Sequence, residues 1–179
     1  MNKSLNFRKD SRTIEEFVND IEQRTSKERF LVNLFSNIME VKGHSIFVED
    51  NGIGNDGKLV SKSSCRPDFQ ITIDGKSGLY EVKNSFLEWK WTFKVYQLQQ
   101  YIKYKANILI FWGTDRIDKD HTAINLENTR WGIIETKGIE AMLMNHEVYN
   151  ESSFGNKPCI QVKLEDFEKY VNKINRIEI

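Results

Sequence analysis

The segment from Asp68 to Lys83 restricts the possible folds of this chain more than any other. Residues 68–73 alternate polar and apolar side chains, which is the pattern of a half-buried β-strand. Asp74-Gly75 is a strong signal for a two-residue turn, and residues 79–83 are typical of a second strand. The pattern therefore predicts a β-hairpin that turns at Asp74-Gly75.

This hairpin also predicts which side chains lie next to each other. A two-residue turn pairs Ile73 with Lys76, and counting back along both strands places Asp68 opposite Glu81. Side chains alternate between the two faces of a strand, so Glu81 and Lys83 project in the same direction. Two carboxylates and one ammonium group are therefore expected to meet on one face of the sheet.

Two crowded carboxylates repel each other, and a divalent cation is the usual way to relieve that repulsion. The expected ligands are hard oxygen atoms and few in number, which favours Mg²⁺ or Mn²⁺. Such a cation and a neighbouring lysine are the smallest set of catalytic groups that can carry out metal-assisted hydrolysis of a phosphodiester bond.

Pro67-Asp68, followed by Glu81-Val82-Lys83, resembles the motif of the PD-(D/E)xK nuclease superfamily. Members of this superfamily include restriction endonucleases, RecB-like exonucleases and Holliday junction resolvases. The resemblance implies that Asp68, Glu81 and the backbone carbonyl of Val82 hold the metal ion. It also implies that Lys83 orients or helps to deprotonate the attacking water and offsets the charge that develops on phosphorus.

Many members of the superfamily add an acidic ligand from a helix that precedes the hairpin. The candidates in this chain are Glu15, Glu16, Glu22 and Glu28. By helical phase, Glu28 lies only about 20° from Phe35, at the edge of an apolar stripe, whereas the other three point away from theirs. We therefore expect Glu28 to reach over the rim of the sheet toward Asp68 as a metal ligand. The alternative is a capping box with Thr25.

A helix predicted at residues 87–105 carries Gln97 and Tyr101, which match the Gln-x-x-x-Tyr pattern of the RecB-like relatives. One face of this helix gathers amide, phenol and ammonium groups that suit phosphates and bases, and Gln97 is its best candidate for a catalytic role. Lys90, Lys94 and Tyr101 are predicted to contact nucleic acid. The alternative is an amphipathic helix whose large rings pack against a loop or a second subunit.

Residues 51–64 form a predicted loop that is rich in glycine and polar residues. It lacks the Gly-Lys-Ser/Thr ending of a phosphate-binding P-loop and does not lead directly into a helix, so that interpretation is rejected. A flap over a DNA strand fits better, with Lys58, Lys62 and Arg66 available to phosphates.

The order of predicted elements favours a single α/β domain over residues 1–179, with a mixed central sheet flanked by helices. The resemblance, which implies a restriction-endonuclease-like core, covers residues 25–112, and residues 114–179 form the variable part of the same domain. The predicted helices cover residues 14–24, 25–42, 87–105, 139–145 and 164–174. Besides the hairpin, strands are predicted at residues 44–49, 107–112, 131–135 and 159–163.

Net charge is zero, which argues mildly against a protein that coats nucleic acid without specificity. Residues 76–105 nevertheless hold six lysines against two glutamates. The sequence has no apolar run of membrane-spanning length and no signal-peptide core, so no membrane partner is expected. Cys65 and Cys159 are isolated from each other, which favours a reducing, cytoplasmic location.

These observations predict a Mg²⁺-dependent endonuclease acting on DNA. A resolvase of Holliday junctions or other branched DNA from the same superfamily is the first alternative, and a catalytically inactive nucleic-acid-binding relative is the second. A purely protein-binding α/β module is the third. A homodimer is expected, because cutting two strands commonly uses two sites.

Overall fold

The computed structural model describes residues 14–51, 66–85, 90–112, 129–172 and 175–176, which form an α/β fold of two sheets packed with helices. The helices are α1 (Ile14–Val41), α2 (Val95–Tyr104), α3 (Thr136–Asn145) and α4 (Leu164–Phe167). The strands are β1 (Ile46–Asp50), β2 (Phe69–Ile73), β3 (Lys76–Ser85), β4 (Lys90–Lys94), β5 (Asn107–Trp112), β6 (Arg130–Ile134), β7 (Tyr149–Glu151), β8 (Lys157–Lys163) and β9 (Asn175–Arg176).

The main sheet has the strand order β1-β2-β3-β5-β6-β9. Its neighbours β3 and β5 are parallel, whereas every other pair in this sheet is antiparallel. Parallel neighbours need a crossover connection, and α2 lies within the one between β3 and β5. The predicted α/β architecture with a mixed central sheet is confirmed.

The predicted hairpin of β2 and β3 is confirmed in its register. Ile73 pairs with Lys76, and the pairing continues up to Phe69 and Tyr80. Asp74 and Gly75 both have positive φ angles, 49° and 78°, as a tight hairpin turn of this type requires. One further step along this register brings Asp68 next to Glu81.

Alternation along β3 sends its side chains into two different environments. On one face, Tyr80 and Val82 join a core that α1 covers with Leu31 and Phe35. On the other face, a second core lies between the main sheet, α2, α3 and the small sheet. Glu81 and Lys83 belong to this second face, because Glu81 bonds to a side chain of α2. The sheet therefore separates the charged residues of β3 from the α1 core.

The prediction of two helices at residues 14–24 and 25–42 was wrong in one respect. The chain forms a single helix, Ile14–Val41, which is 28 residues long. The sequence around Thr25 contains neither glycine nor proline, so its capping signal does not interrupt the helix. The predicted end is confirmed, since Gly43 follows the helix with a φ of 86°.

The prediction of a helix at residues 87–105 was wrong in its first part. Residues 90–94 form β4, and the helix begins only at Val95. Trp91 and Phe93 alternate into the core, and β4 pairs with β8 to give a three-stranded sheet in the order β4-β8-β7. Aromatic residues at alternate positions favour a strand once a partner strand is present.

The remaining strand predictions are confirmed to within two residues: β1 (Ile46–Asp50), β5 (Asn107–Trp112), β6 (Arg130–Ile134) and β8 (Lys157–Lys163). The predicted helix at residues 139–145 is α3, but that at 164–174 shortens to α4 (Leu164–Phe167). The short strands β7 and β9 were not predicted. Within the described residues, no helix is both long enough and apolar enough to cross a membrane.

Candidate active site

The candidate active site lies where β2 begins and β3 passes beside it. Asp68 and Glu81 are both buried residues, with relative exposures of 8% and 7%. The backbone N–H of Val82 donates a hydrogen bond of 3.3 Å to Oδ2 of Asp68. The hairpin register therefore brings the two predicted carboxylates together in a place largely closed to water, where their charges interact strongly.

Glu81 is held by two donors that reach the same oxygen atom. The ammonium group of Lys83 forms an ion pair and hydrogen bond with Oε1 of Glu81. The hydroxyl of Tyr101, on α2, donates a hydrogen bond of 2.7 Å to this same Oε1. These contacts fix the orientation of the carboxylate, and its second oxygen is the natural ligand atom for a cation.

The electrostatics of this cluster give Asp68 an unusual protonation state. Burial, followed by repulsion from Glu81 and from Glu28, raises the pKa of Asp68 from 3.8 to about 8. The cation of Lys83 and the N–H of Val82 oppose this change but do not cancel it. Asp68 therefore holds a proton at neutral pH unless an added positive charge displaces it.

Burial and the neighbouring carboxylates act in opposite directions on Lys83. Burial alone lowers the pKa of this lysine, but attraction to Glu81, the largest opposing effect, raises it well above its ordinary value. Burial raises the pKa of Tyr101. Lys83 is therefore a cation and Tyr101 a neutral hydrogen-bond donor throughout the physiological range.

Glu28 lies on the described part of α1, where it is half-buried. The charge of Glu28 contributes to the raised pKa of Asp68, so Glu28 lies near enough to Asp68 to act on it electrostatically. The next residue, Arg29, donates hydrogen bonds of 3.1 Å and 2.9 Å to Oδ2 of Asp50 on β1. This ion pair is exposed and adds little stability, but it ties α1 to the edge of the sheet.

The donor atoms suit a small hard cation with few protein ligands. Among the described residues, no group of three or more His, Cys, Asp or Glu side chains is arranged to hold a metal ion. The protein donors that the structure brings together are the carboxylates of Asp68 and Glu81, and a role for the carbonyl of Val82 stays a prediction. Mg²⁺ typically uses one or two carboxylates and keeps several water molecules, so this set fits it. A role for Glu28 as a direct ligand stays a prediction.

The other predicted site residues lie in several places. Gln97 is half-buried on α2, one turn before Tyr101. Arg66 is exposed directly before Pro67, and Lys90 and Lys94 lie on β4 and not on a helix. Lys58 and Lys62 lie outside the described residues.

For Tyr101, the predicted contact with nucleic acid through its ring needs correction. The side chain is 2% exposed, so its ring packs in the core and has no face open to a base. Its hydroxyl instead bonds to Glu81. The Gln-x-x-x-Tyr pattern drew attention to Tyr101, but only the packing of α2 on the sheet shows which group its hydroxyl contacts.

Asn51 is a residue of the site that sequence reasoning missed. Its backbone N–H donates to the carbonyl of Asp68 at 3.0 Å, and its side-chain amide donates to the carbonyl of Pro67 at 3.1 Å. These bonds hold the start of β2 against the chain that leaves β1. No local pattern could indicate this role, because it depends on strand pairing between distant residues.

No protein-family model matches this chain, and no curated protein shows significant sequence similarity to it. The likeness to the PD-(D/E)xK nucleases therefore depends on the residues of the β2–β3 hairpin and on the helices around it.

Proposed function

We propose that this protein is a metal-dependent nuclease that hydrolyses phosphodiester bonds in DNA, acting as an endonuclease. The observation that carries the proposal is the meeting of two buried carboxylates, Asp68 and Glu81, beside the half-buried Lys83, on the hairpin register expected of a Pro-Asp…Glu-x-Lys site. Burying two carboxylates beside each other costs free energy, and a cation that binds both would recover it.

Asp68, Glu81 and the Val82 carbonyl would hold the cation, with Glu28 near enough to add negative charge. The bound Mg²⁺ or Mn²⁺ would polarise the scissile phosphate and lower the pKa of a coordinated water.

The residues of the chain supply charge and orientation. Lys83 is an ammonium group next to Glu81, and it would orient the attacking water and stabilise the negative charge that develops on the phosphate oxygens. Tyr101 holds Glu81 in one rotamer, so that the carboxylate is already oriented before a cation arrives. Since its pKa is raised, Lys83 acts here through its charge rather than as a base.

The proposal is tested by incubating supercoiled plasmid DNA with the protein in Mg²⁺, Mn²⁺, Ca²⁺ or EDTA. We expect nicking and linearisation with Mg²⁺ and Mn²⁺, and none with EDTA. Glu81→Gln should remove this cleavage, because an amide is a much weaker ligand than a carboxylate. Glu140→Gln, an exposed change on α3, is the matched control. Cleavage that persists in EDTA, or in Glu81→Gln, would contradict the proposed chemistry.

Competing functions give different results with the same preparation. A junction resolvase would cut a four-way junction in strong preference to a linear duplex of the same sequence. An inactive relative would bind DNA without metal-dependent hydrolysis, and its binding would tolerate Asp68→Ala. A homodimer with one site for each strand is part of the proposal, and analytical ultracentrifugation measures it directly.

Tyr101→Phe tests the role of the hydroxyl that holds Glu81. The ring stays in place, so we expect the fold to persist with a loss of about 1 kcal/mol in the free energy of unfolding. We expect the cleavage rate to fall about tenfold and the Mg²⁺ concentration for half-maximal activity to rise, because Glu81 becomes less well oriented. Tyr104→Phe, on the exposed side of the same helix, should leave both quantities unchanged. An unaltered Mg²⁺ dependence in Tyr101→Phe would refute this role.

A further inference from the structure

The three-stranded sheet β4-β8-β7 presents one of its two faces to the core. Trp91 and Phe93 of β4 lie opposite Val162 and Ile160 of β8, and all four belong to the second hydrophobic core. Because side chains alternate along each strand, the residues between them project from the opposite, outer face.

Four lysines share this outer face. Lys90 and Lys94 lie on β4, and Lys157 and Lys163 lie on β8. The register places Lys90 directly opposite Lys163, which confirms that the two strands present their lysines on the same side. At about 3.3 Å per residue, the lysines of β8 span roughly 20 Å and those of β4 roughly 13 Å. We call these four residues the lysine face.

Lys90 and Lys163 are like charges directly across a strand pair, and their repulsion costs free energy. A polyanion bound to this face would neutralise both charges and remove that cost. Lys163 forms an ion pair of 3.6 Å with Glu165, but the two side chains are 70% and 75% exposed, so solvent screens that pair.

Glu151, on β7, lies directly opposite Lys157 on the same face, where it accepts hydrogen bonds from the hydroxyls of Tyr149 and Ser153. The charge of Lys90 also acts on this carboxylate. Four lysines against this glutamate still leave the face positively charged, in a chain whose net charge is zero.

The residues between the lysines differ along the face. Cys159, which lies opposite Lys94, is fully buried, so the polar part of the face lies toward Lys90 and Lys163. Thr92 and Gln161 face each other between the lysines and carry hydrogen-bonding groups. The ammonium of Lys94 lies 4.6 Å from the centroid of the Phe154 ring, which holds this lysine close to the sheet. Phosphates in water match such a surface better than lipid tails or an apolar protein patch would.

We propose that the lysine face binds the phosphodiester backbone of DNA that extends away from the candidate active site. Lys90 follows Ser85, the last residue of β3, by five residues, so their Cα atoms are at most about 18 Å apart. Lys83 lies two residues before that end, but it faces the core that the small sheet covers, so a DNA strand would reach the lysines by passing around β4, the edge strand of that sheet. This inference rests on the proposed function in one respect: it takes the bound polyanion to be the DNA that the nuclease cleaves.

The test measures DNA affinity separately from hydrolysis, by fluorescence anisotropy with a duplex of about 30 base pairs in Ca²⁺ over a range of salt concentrations. For Lys157→Ala/Lys163→Ala we expect the Kd at about 100 mM salt to rise about tenfold. The slope of log affinity against log salt should become shallower by about two. Lys103→Ala/Lys137→Ala, which removes the same charge from exposed positions on α2 and α3, is the matched control and should change the Kd less than about twofold.

The outcomes separate this inference from the proposed function. If both double variants lose the same DNA affinity, or if neither loses any, the proposal that the lysine face binds DNA is wrong, even if the wild-type protein cleaves DNA. Lysine-dependent binding without any metal-dependent cleavage would support the lysine face and reject the nuclease.

Discussion

Replacing Lys83 with methionine is expected to reduce the rate of DNA cleavage at saturating substrate by about a hundredfold to a thousandfold. The ammonium group lies against Glu81, and it would stabilise the charge that develops on the phosphate in the transition state. Methionine keeps much of the side-chain volume and removes the charge. The measurement is single-turnover cleavage with Mg²⁺ at a temperature well below the melting temperature of the variant.

Because the lysine also neutralises Glu81, the same change should lower the free energy of unfolding by about 2 kcal/mol. The melting temperature must therefore be measured beside the cleavage rate. Lys83→Arg keeps the positive charge, so it should be nearly as stable as the wild type. We expect it to cleave more slowly than the wild type, because a guanidinium spreads its charge over a plane whereas an ammonium group concentrates it at one point. Lys76→Met, an exposed change on the same strand, is the control and should alter neither quantity. Cleavage by folded Lys83→Met within about threefold of wild type would reject the assigned role.

Asp68→Asn is expected to make the metal-free protein more stable while abolishing cleavage. In the folded protein, burial and the repulsion from Glu81 and Glu28 raise the pKa of Asp68 to about 8, against 3.8 in the unfolded chain. Between these two values the folded state binds a proton that the unfolded state has released, so the stability of the wild-type protein falls as pH rises from about 4 to about 8. An amide carries no charge and escapes this penalty.

At about pH 8 in EDTA, we expect Asp68→Asn to gain about 2–4 kcal/mol in the free energy of unfolding, or roughly 5–10 °C in melting temperature. At about pH 4 the gain should nearly vanish, because Asp68 is protonated in the folded wild-type protein and only about half ionised in the unfolded chain, whose pKa of 3.8 lies close to this pH. Thermal unfolding followed by circular dichroism across this pH range measures the effect. A variant less stable than wild type at pH 8 would show that the two carboxylates do not repel each other as described.

One control variant and one further measurement test whether this gain in stability comes from the repulsion at Asp68. Asp74→Asn changes an exposed aspartate in the same hairpin whose pKa is lowered by hydrogen bonds from His44 and Ser45, so it should bring no gain in stability. Mg²⁺ should raise the melting temperature of the wild-type protein but not that of Asp68→Asn, because only the wild type offers both carboxylates.

Local patterns in the sequence predicted the part of the site that lies on one hairpin. The alternation of residues 68–73, the Asp74-Gly75 turn and the return strand together determine the register, so Asp68 and Glu81 could be paired by counting. Helical phase likewise singled out Glu28, whose charge acts on Asp68, but its role as a metal ligand stays a prediction. The pairing within the hairpin holds because it depends on a fixed geometric period over a short stretch of chain.

The errors arose where a partner from another part of the chain decides the outcome. Residues 90–94 have the composition of either a helix start or a strand, and only pairing with β8 selects the strand. That pairing gathers Lys90 and Lys94 with Lys157 and Lys163, which lie more than sixty residues further along the chain. The short strand β7 also depends on its pairing with β8.

The sequence alone therefore determined which side chains of the hairpin share a face, because a β-strand alternates at every second residue and a two-residue turn leaves no freedom in register. Tertiary structure decided what surrounds them. It placed the hydroxyl of Tyr101 on Glu81, brought Asn51 to the start of β2 and closed the carboxylates off from water. Burial and repulsion depend on distances between segments that are remote in the chain, and no local periodicity contains those distances.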